Sequence, residues 1–245
     1  MTDITHATAT PEEIAKFDAL AAEWWDPQGP MAPLHAMNPL RCGWIAQHLA
    51  RARGGDPARL GGLTLLDVGC GAGLAAEGMA HLGAKVTGLD AAPAALAAAR
   101  AHAAAEGLEI DYREGMPEAL AAEGARFDAV MALEVIEHVA DRAAFLAALA
   151  KLTKPGGMVF LSTLNRTARS FLFAKLGAEY LLRLLPRGTH DWKMFVTPAE
   201  LGAEARRAGL RVVAISGMAP QGAPGRAWRA TPDVAVNYIV ALARD

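Results

Sequence analysis

Leu65-Leu66-Asp67-Val68-Gly69-Cys70-Gly71-Ala72-Gly73 is an apolar run that passes directly into three glycines spaced two apart, with alanine-rich sequence after them. The apolar part predicts a buried strand over 63–68, and the alanine-rich part predicts a helix over 72–82. Glycines let the backbone adopt positive φ and let a ligand approach it closely. The helix that follows presents free N–H groups to a polar ligand. A strand, glycine turn and helix in this order mark a nucleotide-like site at the carboxyl end of the first strand of an open α/β sheet.

The spacing discriminates between ligands. A dinucleotide fingerprint, G-x-G-x-x-G, would need glycine at position 74. Leu74 stands there, and the third glycine comes one residue early as Gly73. Asp90 closes the next apolar run, Val86-Thr87-Gly88-Leu89. Its carboxylate can accept both hydroxyls of a ribose in either cofactor class, so Asp90 alone does not decide.

Outward from this unit the chain alternates strands and helices. Strands are predicted over 85–89, 110–113, 127–132 and 158–162, and helices over 93–106 and 143–152. Lys154-Pro155-Gly156-Gly157 reads as a turn before the fifth strand. The alternation predicts an α/β fold: a doubly wound, Rossmann-like, mostly parallel sheet covered on both faces. Towards the C-terminus a helix over 198–208 is followed by strands over 211–216 and 236–242, expected as an antiparallel C-terminal edge hairpin. On the N-terminal side a helix is expected over 11–25, with Thr10 as N-cap, Pro11 at the first position and Glu13 completing a capping box. Prolines 27, 30, 33 and 39 predict irregular chain from Asp26 to Pro39, and a second helix over 40–53 follows. The expected organisation is a single domain. It has an N-terminal helical cap (1–59), a cofactor core (60–163), a helical insertion (164–197) and a C-terminal helix with strands (198–245).

Composition sets outer bounds. The chain is 53% hydrophobic and 20% charged, which suits a packed core and excludes a disordered chain. A net charge of -2 gives no basic footprint for nucleic acid, so none is expected as a partner. Cys42 and Cys70 do not suggest a disulfide framework. No basic segment leads into an early apolar run, so no signal peptide is expected. No stretch approaches the roughly 18 consecutive apolar residues of a membrane span. The expected location is cytoplasmic.

The glycine loop, Asp90 and the turn at Lys154–Gly157 resemble the class I S-adenosylmethionine-dependent methyltransferases over about residues 60–163. The flanks resemble a narrower family, the ubiquinone biosynthesis O-methyltransferases. The matching segments are Phe17–Asp26, Pro33–Arg41, Glu134-Val135-Ile136-Glu137-His138-Val139, Ser162-Thr163-Leu164-Asn165-Arg166, Gly177–Tyr180, Gly188-Thr189-His190-Asp191 and Val236-Asn237-Tyr238. The resemblance implies methyl transfer from S-adenosylmethionine to phenolic oxygens of polyprenylated phenol and quinol intermediates, one enzyme serving both O-methylation steps. It also implies contact with other ubiquinone-biosynthesis proteins. Residue by residue, it places Arg41 at the methionine carboxylate, Gly69 in the loop, Asp90 on the ribose and Leu133 beside the cofactor. Asp67, Gly71 and Gly73 complete the expected cofactor set. Arg41 also admits a bland reading, as a solvated arginine at the start of a helix.

Methylating a phenol asks for alignment, exclusion of water and removal of a proton whose pKa is about 10. Glu134, Glu137 and His138 follow the fourth strand, at the carboxyl edge of the sheet. Three roles are open to them: ligands for a hard divalent ion such as Mg²⁺, a general base, or polar residues that only support the loop. His190, in the insertion, is a second candidate base or a surface histidine. Between residues 166 and 187, Arg166, Arg169, Lys175, Arg183 and Arg187 interleave with apolar residues. Leu172, Leu176, Tyr180 and Leu184 would share one helical stripe. That pattern fits a basic amphipathic helix lying peripherally on the inner face of the cytoplasmic membrane, and equally a lid packed on the core. The rival readings are a methyltransferase for another small molecule, a non-catalytic cofactor-binding component of a biosynthetic complex, and an NAD-dependent oxidoreductase.

Overall fold

The computed structural model describes residues 11–171, 192–222 and 227–245. The chain opens with α1 (Pro11–Leu20), a 3₁₀ turn (Ala21–Glu23) and α2 (Ala32–Arg53). The core follows as β1 (Thr64–Val68), α3 (Leu74–His81), β2 (Lys85–Asp90), α4 (Pro93–Ala105), β3 (Asp111–Glu114), α5 (Pro117–Ala122) and β4 (Phe127–Leu133). After a 3₁₀ turn at Ile136–His138 come α6 (Arg142–Leu152) and β5 (Thr153–Leu164). Beyond a last 3₁₀ turn (Trp192–Met194) lie α7 (Pro198–Arg207), β6 (Leu210–Pro220), β7 (Trp228–Thr231) and β8 (Asn237–Arg244).

The strands form one sheet of eight, in the order β3-β2-β1-β4-β5-β8-β6-β7. The first five are mutually parallel. β8 runs antiparallel to both β5 and β6, and β7 antiparallel to β6. Strand order therefore reverses between β1 and β4. In open α/β sheets the crevice beyond the carboxyl ends at such a point is where ligands bind. Successive residues of β1 serve opposite faces, as the pleat requires. Leu65 joins a core with Ile45 and Leu49 of α2, Met79 of α3 and Leu96 of α4. Leu66 and Val68 join another with Phe145, Leu146 and Leu149 of α6 and Leu201 of α7. Both faces are covered, which accounts for the near-continuous apolar runs in β1, β4 and β5.

The expected irregular stretch up to Pro39 is overturned from Ala32 onward, where α2 begins. Pro33 falls in its first turn, where a missing N–H costs nothing. Pro39 lies inside the helix on its exposed side, and the buried Met37, Asn38, Arg41 and Cys42 anchor the turns around it. Tertiary packing thus overrides a local helix breaker. The helix stops at Gly54, in a left-handed conformation with φ 68°. The expected helix over 11–25 is shorter, ending at Leu20. Its proposed N-cap, Thr10, lies outside the described residues.

The turn at Lys154–Gly157 is present as a bulge within β5. Thr153 pairs with Phe127, and the next partner pair is Met158 with Ala129. The C-terminal pair is antiparallel as expected and lies beyond β5, on that edge of the sheet. The apolar Tyr238–Leu242 run of β8 is buried between β5 and β6, and β7 adds an outer strand that the sequence reading did not contain. The short α5 was also not anticipated.

The two described ends of the insertion meet. Phe171 packs edge-on against Trp192 with ring centroids 5.9 Å apart, and Trp192 Nε1 donates to Thr167 O at 3.1 Å. The proposed stripe of Leu172, Leu176, Tyr180 and Leu184, and His190, lie outside the described residues. No described helix is long and apolar enough to cross a membrane.

Candidate functional site

At the carboxyl end of β1 the chain turns through Gly69 (φ 68°), Gly71 (φ 53°) and Gly73 (φ 89°), all in the left-handed region. Side chains there would be strained by the backbone alone, and they would also collide. A Cβ would strike Val135 at Gly69, the Trp24 ring at Gly71 and the Tyr112 hydroxyl at Gly73. Asp90 braces the turn, accepting from Gly71 N at 2.7 Å through Oδ2 and from Ala92 N at 2.9 Å through Oδ1. Burial raises its carboxyl pKa, and these N–H donors oppose the shift. A carboxylate has about four lone-pair sites, so Asp90 keeps acceptor capacity for hydroxyl groups while holding the loop.

Behind the loop, Arg41 of α2 and Asp67 of β1 are buried, 3% and 2% exposed. The bland reading of Arg41 as a solvated residue fails, because it sits within the helix and faces the core. Among the described residues Arg41 Nε and Asp67 Oδ2 have no hydrogen-bond partner. Burial pushes the Asp67 carboxyl up to about 8, and the nearby Arg41 charge acts against that shift. Leaving such groups unpartnered costs on the order of 1–3 kcal/mol each, more when charged. A buried cation and a buried acid with vacant valences, beside a glycine loop, complement a ligand end that carries both a carboxylate and an ammonium.

Asn38 was not singled out from the sequence. Its Oδ1 faces Arg41 Nη2 at 3.4 Å, and its Nδ2 donates to Leu74 O, in the first turn of α3, at 2.8 Å. It therefore ties the arginine to the helix that the glycine loop opens. The available signal was its position three residues before Arg41, on the same helix face.

The second group of residues lies at the ends of β4 and β5. Leu133 is the buried last residue of β4. Glu134 follows with φ 57°, and is the one non-glycine residue with positive φ among the described residues. Such a conformation is uncommon for a residue with a side chain and collects at functional sites. It is over-determined here. Glu134 N donates to Ser162 O at 3.0 Å, and Ser162 Oγ donates to Glu134 Oε1 at 2.6 Å. Glu137 is 3% exposed and accepts from Thr163 Oγ1 at 2.9 Å. Burial, the neighbouring Glu134 charge and a hydrogen bond between the two carboxyl groups hold the Glu137 pKa well above the ordinary carboxyl range.

His138 ends the same 3₁₀ turn and is half-buried. Of the three roles open to Glu134, Glu137 and His138, the divalent-ion site is not assembled: among the described residues no three His, Cys, Asp or Glu side chains are disposed to hold a metal. The physical reason is that the buried Glu137 turns inward onto Thr163. Ser162 and Thr163 were quoted only for resemblance; two hydroxyls closing the apolar run Met158–Leu161 were the signal for their role.

The fold therefore brings together Arg41, Asp67, Gly69, Gly71, Gly73 and Asp90 at β1 and β2, and Leu133, Glu134 and Glu137 at β4. Val135, against Gly69, joins the two groups.

Known proteins share the chain's sequence over most of its length and its fold. Residues 66–161 match the methyltransferase domain family. The chain is 49% identical to a ubiquinone biosynthesis O-methyltransferase of Azorhizobium caulinodans, over 96% of this chain and 94% of the relative. It is 50% identical to one from Cereibacter sphaeroides, covering 97% and 98%. It is 47% identical to one from Methylobacterium nodulans, covering 100% and 99%. Among solved structures, it resembles magnesium protoporphyrin IX methyltransferase from Synechocystis with bound S-adenosylhomocysteine. That match has TM-score 0.65 and 19% identity, covering 94% of this chain and 95% of the other. A Thermotoga maritima S-adenosylmethionine-dependent methyltransferase matches with TM-score 0.64 at 14% identity, covering 95% and 100%. At these identities the structural likeness speaks to the fold alone.

Proposed function

The chain belongs to the ubiquinone biosynthesis O-methyltransferases, and from that premise we propose that it methylates phenolic hydroxyls on polyprenylated phenol and quinol intermediates. S-adenosylmethionine, when bound, supplies a methyl group on a positively charged sulfur. The observation that carries the cofactor assignment is the buried Arg41–Asp67 pair with its unpartnered Nε and Oδ2. Arg41 receives the methionine carboxylate and Asp67 the ammonium. Asp90 accepts from the ribose hydroxyls, and Leu133 offers an apolar contact beside the reacting end.

Glu134 is the base in this reading. Its backbone N–H donates to Ser162 O and its carboxyl accepts from Ser162 Oγ, beside a buried Glu137 whose pKa is raised by burial and by the Glu134 charge. A carboxyl fixed in this way at the sheet edge can accept a phenolic proton, as a general base must. Proton removal in this arrangement proceeds from side chains alone. The Mg²⁺ alternative would need Glu137 to turn outward, away from Thr163. His190, in the segment before Trp192, is retained as a second candidate for proton transfer. Residues 166–187 are proposed to bring the enzyme to the inner face of the membrane, where a polyprenyl substrate resides. Weak, salt-dependent binding to anionic liposomes would support this, and unchanged binding after deleting the segment from a folded protein would refute it.

The functional test is turnover of a short-chain prenylated catechol followed by mass spectrometry, with and without exhaustive chelation of divalent ions. Methylated product in both conditions is expected. Product only with added metal would replace the Glu134 base by a metal. No product in either would leave only cofactor binding standing.

A further inference from the structure

Outside the groups used above, three side chains meet against the glycine loop. Trp25 follows the first 3₁₀ turn, Glu77 lies in the first turn of α3 and His102 in the last turn of α4. The Trp25 indole and the His102 imidazole are stacked, with centroids 3.4 Å apart and planes within 1°. Trp25 Nε1 donates to Ala72 O, between Gly71 and Gly73, at 3.1 Å. His102 Nδ1 lies 3.0 and 2.9 Å from the two oxygens of Glu77, a residue 4% exposed. With only acceptors opposite it, Nδ1 carries a hydrogen whichever charge state the ring takes. His35 closes the other side of Trp25, edge-on at 5.7 Å, with its Nε2 2.8 Å from Trp24 O. Trp24 in turn lies on Gly71.

We propose that Trp25, His102 and Glu77 form a latch that clamps the N-terminal segment onto the glycine loop and sets how long a bound S-adenosyl cofactor is retained. The inference rests on the cofactor site assigned above. The three are positioning residues: they act through the loop and through Trp24. Each link has a separate physical basis. The indole N–H fixes the segment to a loop carbonyl. The stacked rings bury two aromatic faces against each other. Glu77 fixes the ring plane of His102 and the tautomer at Nδ1. Because Ala72 adjoins Gly73 and Glu77 N donates to Gly73 O at 2.9 Å, the clamp is tied to the conformation of the loop itself. Opening it would free Trp24 from Gly71 and expose the loop to solvent.

The test uses the full-length protein and stopped-flow displacement of S-adenosylhomocysteine. His102→Ala should speed dissociation about tenfold, equivalent to losing one stacked, hydrogen-bonded contact. It should raise KM for S-adenosylmethionine more than it changes kcat, and leave KM for the phenol in place. Trp25→Phe, a milder change, should give a smaller acceleration. The double variant His102→Phe with Glu77→Leu keeps the stacked ring and leaves no unpaired carboxylate, so it should recover most of the retention. A merely structural role predicts a lower melting temperature in His102→Ala with an unchanged dissociation rate, and that result would overturn the latch. Failure of the double variant to slow dissociation relative to His102→Ala would overturn it as well. An unaltered protein that does not bind S-adenosylhomocysteine would reject the cofactor site itself, before any variant is compared.

Discussion

The carboxyl ends of β1 and β4 are neighbours in the sheet, and their polar side chains are held in opposite ways. At β1, Arg41 and Asp67 are buried with Nε and Oδ2 unpartnered. At β4, the carboxyls of Glu134 and Glu137 are engaged by Ser162, by Thr163 and by each other. The first region is incomplete until a ligand supplies the missing contacts. In the second the carboxyls already have protein partners. On the roles proposed above, binding and proton transfer are separable, although Val135 packs against Gly69 and joins the two regions.

The largest effect that would break the comparison is expected at Glu134. Glu134→Gln should lower kcat by about 10²–10⁴, the usual worth of a general base, while the Kd for S-adenosylmethionine stays within about twofold. Parallel losses in binding and turnover would show that the two regions are not separable. Arg41→Met should do the reverse. It should weaken cofactor binding by about 10²–10³, the scale for removing one partner of a buried ionic contact, with a smaller change in kcat at saturation. Calorimetric titration and saturation kinetics read both.

How far each region was legible in the sequence follows the same division. The β1 region is written locally. An apolar run, glycines at 69, 71 and 73, and an acid at 90 are contiguous or regularly spaced, and the backbone geometry follows from glycine itself. The burial of Arg41 was not legible, because it depends on α2 starting at Ala32 in spite of Pro33 and Pro39. Nothing local says that tertiary packing will carry a helix through a proline. The β4 region could be located but not interpreted. Glu134, Glu137 and His138 are adjacent in sequence, and adjacency suggested a shared ligand. The left-handed conformation at Glu134 and the hydroxyls of Ser162 and Thr163, 28 and 26 residues away, turn the two carboxyls to different tasks. The strand β7 escaped for a simpler reason: it has four residues, too few for its apolar–polar alternation to stand out, and all are half-buried or exposed.

Smaller effects sharpen the comparison. Asp67 holds its proton to about pH 8 in the cofactor-free protein, whereas the unfolded chain releases it near the ordinary value of 3.8. Over that window the folded state binds more protons than the unfolded state, so this residue's contribution to stability falls as pH rises. Asp67→Asn should therefore show a flatter decline in melting temperature between pH 5 and about 8 than the unaltered protein. The difference should shrink with cofactor bound, because an ammonium at Oδ2 favours the charged form. An identical decline in both proteins would remove Asp67 from the account. Last, Asn38→Ala should weaken cofactor binding by about 3–10-fold, the worth of one hydrogen bond, with kcat at saturation little changed. Ser162→Ala should do the opposite by a similar factor.

The central claim is that the vacant valences of Arg41 and Asp67 await the amino-acid end of the cofactor. Calorimetric titration of the unaltered protein with S-adenosylhomocysteine and with methylthioadenosine, which lacks the carboxylate and ammonium, tests it most directly. S-adenosylhomocysteine should bind at least about 100-fold more tightly. Equal affinities would mean that the buried pair recognises nothing in the cofactor, and would contradict the account.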